Sequence, residues 1–199
     1  MRNIILGLSV VLLSINATAQ DETSAQLKRH EFAAGYGMVG TSAVISVFSD
    51  VLATAITGGS YSKTNNKWSG NFVASYKFSP SPKLSIGLTY AHTKNSAEIN
   101  YNNVPSGKSI VNYHTIAGEL QYNYISKPFF RLYGIVGLGY TNYTEKYEPT
   151  AGTSEKNSAG HFNFQVSPIG FKLGNTVGIY GEVGFGYKGL FNGGLYVRL

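Results

Sequence analysis

The sequence contains no cysteine. That absence excludes a disulfide framework, a cysteine-ligated metal site and a lipid-modified cysteine at the start of a mature chain. Charge is scarce too: Asp, Glu, Lys and Arg make up 13% of the residues, against about 25% in an ordinary soluble domain. The formal balance of +6 is scattered, with no Lys/Arg cluster or basic stripe, so nucleic acid is not an expected partner. Long hydrophobic runs are missing as well. The longest, in MRNIILGLSVVLLSINATAQ, covers residues 4–13; a spanning helix needs about 20 residues. Arg2 precedes this run and Ala17-Thr18-Ala19, a small-x-small site, follows it. Residues 1–19 are therefore expected to be a secretory signal peptide, leaving 20–199 as one domain.

Aromatic residues and glycine are plentiful, at 14% and 24 residues. They fall in alternating segments, of which PFFRLYGIVGLGYTNY (128–143) is the clearest. Phe130, Leu132, Gly134, Val136, Leu138 and Tyr140 share one face, and Arg131, Tyr133, Ile135, Gly137, Gly139 and Thr141 the other. Alternation of this kind predicts eight strands, over 30–38, 68–78, 83–93, 112–125, 129–143, 161–173, 177–188 and 190–199. Short Pro/Gly/Asn/Ser turns alternate with long polar connections at 39–67, 94–111 and 145–160. The last hairpin, at Lys188-Gly189-Leu190, is short instead. In the first long connection, TSAVISVFSDVLATAIT (41–57) carries a helical stripe of Val44, Ile45, Phe48, Val51, Leu52, Ala55 and Ile56. Thr41 or Ser42 is the expected cap, and Gly58-Gly59 the expected end.

The polar faces decide which way a barrel of these strands is turned. Opposite Leu84, Ile86, Leu88 and Tyr90 lie Ser85, Gly87, Thr89 and Ala91, without a charge. A soluble barrel would put its charges on that face, whereas the interior of a narrow membrane barrel needs small and polar residues there. The expected fold is therefore all-β: an eight-stranded antiparallel up-and-down transmembrane β-barrel with one amphipathic helix in the first outer loop. Strand parity places Glu31, Lys77, Glu119, Arg131, Lys172, Glu182 and Arg198 inside, Lys172 depending on a bulge at Pro168. Buried charges of both signs should pair. Aromatic edges are expected at Phe78, Tyr122, Tyr124 and Phe130 on one side and Tyr36, Tyr90, Tyr140 and Tyr187 on the other. With eight strands the lumen holds little beyond side chains, so the chain is porin-like in architecture without a wide channel.

The strand pattern, HEFAAGYG as an opening strand and the C-terminal NGGLYVRL together resemble the small outer-membrane β-barrel domain proteins, the eight-stranded group with OmpX-like, OmpW-like and OmpA-barrel relatives. The resemblance spans the signal peptide and residues 30–199. It implies an outer-membrane protein in contact with outer-membrane lipid. It also implies that Asn192, Gly194, Val197 and Leu199 carry a signal to the barrel-assembly machinery, Leu199 departing from the commoner aromatic residue. A monomer without cofactor or metal is expected, acting without catalysis in surface interaction, envelope integrity or binding of a small apolar ligand. The alternatives are a lipid-modifying enzyme of the outer membrane and a secreted lipocalin-like carrier. For catalysis, His92, His114 and His161 lie near outer strand ends, but parity turns the first two outward and the third inward. The helix has two open placements, as a lid on the mouth or along the outer leaflet.

Overall fold

The computed structural model describes residues 28–58, 60–102 and 104–199; the expected signal peptide lies outside the described residues. Eight strands run up and down: β1 His30–Met38, β2 Tyr61–Phe78, β3 Leu84–Tyr101, β4 Val104–Ser126, β5 Phe130–Pro149, β6 Glu155–Gly174, β7 Val177–Gly186 and β8 Phe191–Arg198. Each pairs antiparallel with its sequence neighbours, and β8 closes the ring on β1 from Glu31↔Arg198 to Met38↔Phe191. One helix, α1 (Thr41–Ile56), stands between β1 and β2.

Two of the long connections prove to be mostly strand. The connection expected at 94–111 shrinks to a tight turn between Tyr101 and Val104, and that at 145–160 to residues 150–154. In β3 and β4 the inner face is buried but made largely of small or polar residues such as Asn95, Ala97 and Ser109, so no apolar alternation marks it; in β6 solvent lies on both sides. In EKNSAG (155–160) of β6 every residue is exposed, so neither face is apolar and the period-2 signal vanishes although the backbone pairing continues. The first connection holds α1 and the outer part of β2. Strands β1, β7 and β8 stay short, because the turn after Gly186 joins β7 to β8 at the mouth. Pairing of β1 with β2 stops at Gly37↔Asn71, and that of β6 with β7 at Gln165↔Gly186. Beyond those points β2 to β6 continue as a five-stranded wall standing over the mouth.

The barrel itself is apolar outside and polar inside. Leu138 is 77% exposed and Phe162 89%, while Arg131 and Lys172, on the opposite faces of the same strands, are 2% exposed. From Phe130 to Tyr140 the outward face of β5 rises about 25 Å, taking about 3.3 Å per residue and a tilt of about 40°. Tyr36, Tyr90 and Tyr140 edge this band toward the wall, and Tyr122, Tyr124 and Phe129 edge it toward the short turns.

Glycines let large residues fill the narrow interior. A Cβ on Gly35 would sit 2.1 Å from the Tyr180 hydroxyl and 2.6 Å from the Gly193 carbonyl, whereas one on Gly118 would meet nothing within 4 Å. Gly35→Ala is expected to cost about 1–3 kcal/mol through overpacking, and Gly118→Ala to be nearly neutral. Urea midpoints of the two variants refolded in lipid vesicles check the difference.

Candidate functional site

Inside the barrel the alternate residues of different strands converge on three carboxylates. Glu31 of β1 accepts a hydrogen bond from Arg131 Nη1 of β5 at 3.0 Å and another from Lys172 Nζ of β6. Arg198 of β8 adds a longer ion pair at 3.8 Å. Glu119 of β4 binds Lys77 of β2 at 3.3 Å and Lys188 at 3.1 Å, and Lys188 also binds Glu182 of β7 at 2.6 Å. Gln121 joins the two groups, its Oε1 accepting from Lys77 Nζ at 3.1 Å and Lys172 Nζ at 3.0 Å. Tyrosines supply further donors: the Tyr133 hydroxyl to Glu182 at 3.0 Å and the Tyr187 hydroxyl to Glu119 at 2.8 Å. Rings also face the cations, with Lys172 Nζ 4.6 Å from the Tyr133 centroid and the Arg131 guanidinium 5.2 Å from that of Tyr196.

This network ties together every strand except β3, whose inward face carries no charge. Glu31, Lys77, Glu119, Arg131, Lys172 and Glu182 are buried within it, and Arg198 lies at its open lower end. The bulge at Pro168 turns Pro168 and Ile169 both outward, after which Gly170 and Lys172 point in. Four residues that the charge pattern did not reveal are Lys188, Gln121, Tyr133 and Tyr187. Lys188 lies in the turn after β7, where no strand parity applies, so alternation alone does not place it. Tyr187 is a correction. It was expected at the outer aromatic edge, but it is 4% exposed and sits inside. Strand β7 ends at Gly186, whose φ of 150° begins a turn, so alternation stops one residue before Tyr187. Of the C-terminal residues, Asn192 is buried, its Nδ2 donating to Glu182 at 3.4 Å, while Val197 and Leu199 are exposed on the outer wall.

These side chains fill the lumen. The cavity bounded by Glu31, Lys77, Lys172, Glu182, Lys188 and Asn192 measures about 10 Å³, room for about one water molecule. The larger recesses, of about 890 and 710 Å³, are shallow apolar grooves on the outer wall. Planar bilayers containing the protein are therefore expected to show no stable large currents.

The mouth is closed by the first turn of α1. Thr41 and Ser42 are buried there, and Thr41 Oγ1 donates to Asn163 Oδ1 of β6 at 3.2 Å. The expected cap is corrected accordingly: Gly40 is the N-cap and, lacking a side chain, makes no side-chain cap bond, while Thr41 is the first helical residue and its hydroxyl bonds across the mouth. Farther along, Asp50 pairs with Lys63 of β2 at 2.8 Å. Lys63 lies eight residues outward from Asn71, where β1 stops, so α1 plugs the mouth with its first turn and then climbs β2. Val51, Leu52 and Ile56 remain exposed along it. Between the helix start and β2 lies a recess of about 430 Å³ lined by Val39, Ala43, Val44, Trp68 and Thr93.

On the inner face of the wall, beyond the apolar band, Trp68, Tyr113, Tyr143 and His161 form a row with successive centroids 5.9, 5.9 and 6.3 Å apart. Burial pushes the Tyr113 hydroxyl up to about 12, with Glu145, Tyr143 and Asp50 adding to the rise. His92 and His114 face each other across β3 and β4 with ring centroids 4.7 Å apart, and the Tyr90 hydroxyl is hydrogen-bonded to His114 Nδ1 at 2.7 Å. His161 lies on the opposite surface of the wall, so the three histidines do not converge. Among the described residues no group of three or more His, Asp or Glu is placed to hold a metal ion.

No family model matches the chain, and no curated protein sequence matches it. Two solved structures similar to it are of Ail, the attachment invasion locus protein of Yersinia pestis. One, in complex with the heparin analogue sucrose octasulfate, is 13% identical with a TM-score of 0.44, over 85% of this chain and 96% of that one. The other, Ail alone, is 12% identical with a TM-score of 0.42, over 85% and 95% of the two chains.

Proposed function

We propose that the protein is an outer-membrane β-barrel of a Gram-negative-type envelope that acts without catalysis, holding the five-stranded wall of β2–β6 outside the cell as an interaction surface. The observation that carries this is the reversal of faces. A continuous apolar band lies outside, and the buried charges inside pair with one another across six strands or their ends, Arg198 of β8 adding a longer contact. In water that arrangement would expose the greasy face and bury the costly one; in a bilayer both faces are satisfied. The filled lumen disfavours a carrier of the lipocalin type, which needs internal room for its cargo. Among the described residues the histidines assemble no catalytic constellation. His114, bonded to the Tyr90 hydroxyl and packed on His92, lies on the outward face, while His161 lies on the opposite surface. A lipid-modifying enzyme would need nucleophile, base and orienting group together.

In this proposal residues 1–19 direct export, and the chain acts as a monomer. Asn192, Gly194, Val197 and Leu199 on β8 form the signal to the assembly machinery. The recess beside Trp68 is a second place for a partner, a small apolar ligand at the outer end.

The test is orientation in intact cells. A membrane-impermeant amine reagent is expected to modify Lys108, Lys146 and Lys156 on the wall and to spare Lys83 and Lys127 at the short turns until the envelope is opened. Recovery of the protein from the soluble periplasm without detergent, or the reverse labelling pattern, would contradict the proposal.

A further inference from the structure

The two ends of the barrel differ in charge. The eight carboxylate side chains of the described residues fall in two places: three inside the barrel and five on α1 and the wall. The five outer ones stand among six lysines, and two of the pairs are in contact, Lys63 with Asp50 and Lys146 with Glu148. At the short-turn end lie Lys28, Arg29, Lys83 and Lys127, with no acidic side chain among the described residues beside them.

These four cations are spread around the rim. Lys28 reaches Thr176 in the β6–β7 turn, and the Arg29 carbonyl accepts from Ser79 at the end of β2. The Lys83 carbonyl accepts from Asn123 of β4, and Lys127 belongs to the β4–β5 turn, its N–H donating to the Phe130 carbonyl. Each is within a few residues of the lower aromatic edge: Phe78 precedes Lys83, and Tyr124 and Phe129 flank Lys127. Long cationic side chains beside such rings extend along the apolar surface and place their charge at headgroup level.

We propose that this rim binds the phosphate headgroups of anionic phospholipids in the leaflet that meets the short turns, fixing the height of the barrel in the membrane. The inference rests on the membrane-barrel proposal above. The partner follows from charge and position: a ring of cations at one edge of a lipid-facing band, with no acidic side chain among the described residues beside it, meets headgroups before anything else. A cation at an anionic lipid surface gains roughly fivefold in association before salt screening, so a ring of four should select anionic from zwitterionic lipid several-fold.

Spin-labelled lipids read this selection directly. The full chain is refolded into phosphatidylcholine bilayers carrying a trace of spin-labelled phosphatidylglycerol or phosphatidylcholine, and the motionally restricted fraction is measured. Phosphatidylglycerol is expected to be favoured several-fold. The preference should fall to near parity in 1 M salt and in the K28Q/R29Q/K83Q/K127Q variant, and should persist in a K67Q/K94Q/K108Q/K156Q variant of the wall. If the rim variant does not fold, the salt titration of the unaltered chain decides alone. No restricted fraction for either lipid would overturn the membrane barrel itself. A restricted fraction without preference, or one that only the wall variant abolishes, would overturn the rim proposal and leave the barrel standing. Equal lipid association, together with rim-dependent sedimentation on murein sacculi, would reassign the cations to the cell wall.

Discussion

Glu119→Ala is expected to destabilise the barrel by about 3–5 kcal/mol, the usual cost of removing one partner from a buried ion pair. Glu119 is the acceptor for Lys77, Lys188 and the Tyr187 hydroxyl. Its loss leaves Lys77 with Gln121 as its remaining hydrogen-bond partner and Lys188 with Glu182. Little water can replace the carboxylate, because the neighbouring cavity measures about 10 Å³. The substitution keeps the outer face unchanged, so lipid contacts do not enter the comparison. Urea titration of the protein in vesicles, followed by the mobility shift between folded and unfolded barrel in detergent gels, measures the effect. A change below about 1 kcal/mol, the scale of an exposed ion pair, would mean that the lumen is wet and its ions are hydrated.

Val136→Arg tests the other face of the same wall. Val136 lies near the middle of the apolar band and is 52% exposed. An arginine at the bilayer midplane of a barrel costs about 2–4 kcal/mol, falling to about 0–1 kcal/mol near the interface. The same change at Phe129, beside the lower rim, is accordingly expected to cost little. Equal and small effects at both positions would mean that water, with no depth-dependent medium, bathes this surface.

The band was legible because each strand crossing it has one apolar and one polar face. The parity of Leu132, Val136 and Leu138 against Arg131, Ile135 and Gly137 needs no tertiary information. The same counting turned six of the charges inward, and Lys172 with them only once a bulge at Pro168 is allowed. Two kinds of feature were hidden. The wall was hidden because its strands carry no apolar alternation. EKNSAG in β6 is exposed throughout and has the composition of a loop although it pairs residue by residue with β5. The buried face of β3 and β4 is largely small or polar there, as at Asn95, Ala97 and Ser109. Tyr187 was misplaced because a single glycine turn at Gly186 ends the alternation, and such an end is set by where β7 must turn into β8. The links among Glu31, Glu119 and Glu182 lay beyond sequence altogether, since residues up to 141 positions apart meet only once the ring is closed. The role of Gln121 as a shared acceptor belongs to the same class: an amide gives no charge signal, and only the closed barrel brings Lys77 and Lys172 to it.

Whether hydrocarbon touches the outer residues is open to one direct reading. A carbene photolabel confined to the bilayer core, with labelled positions located by mass spectrometry, should mark Ile116, Val136, Leu138 and Val183 and leave Thr115, Glu119, Arg131 and Glu182 unmodified. Label on the charged set with the aliphatic set spared would mean a barrel facing the other way, filled with its apolar residues and washed on its charges.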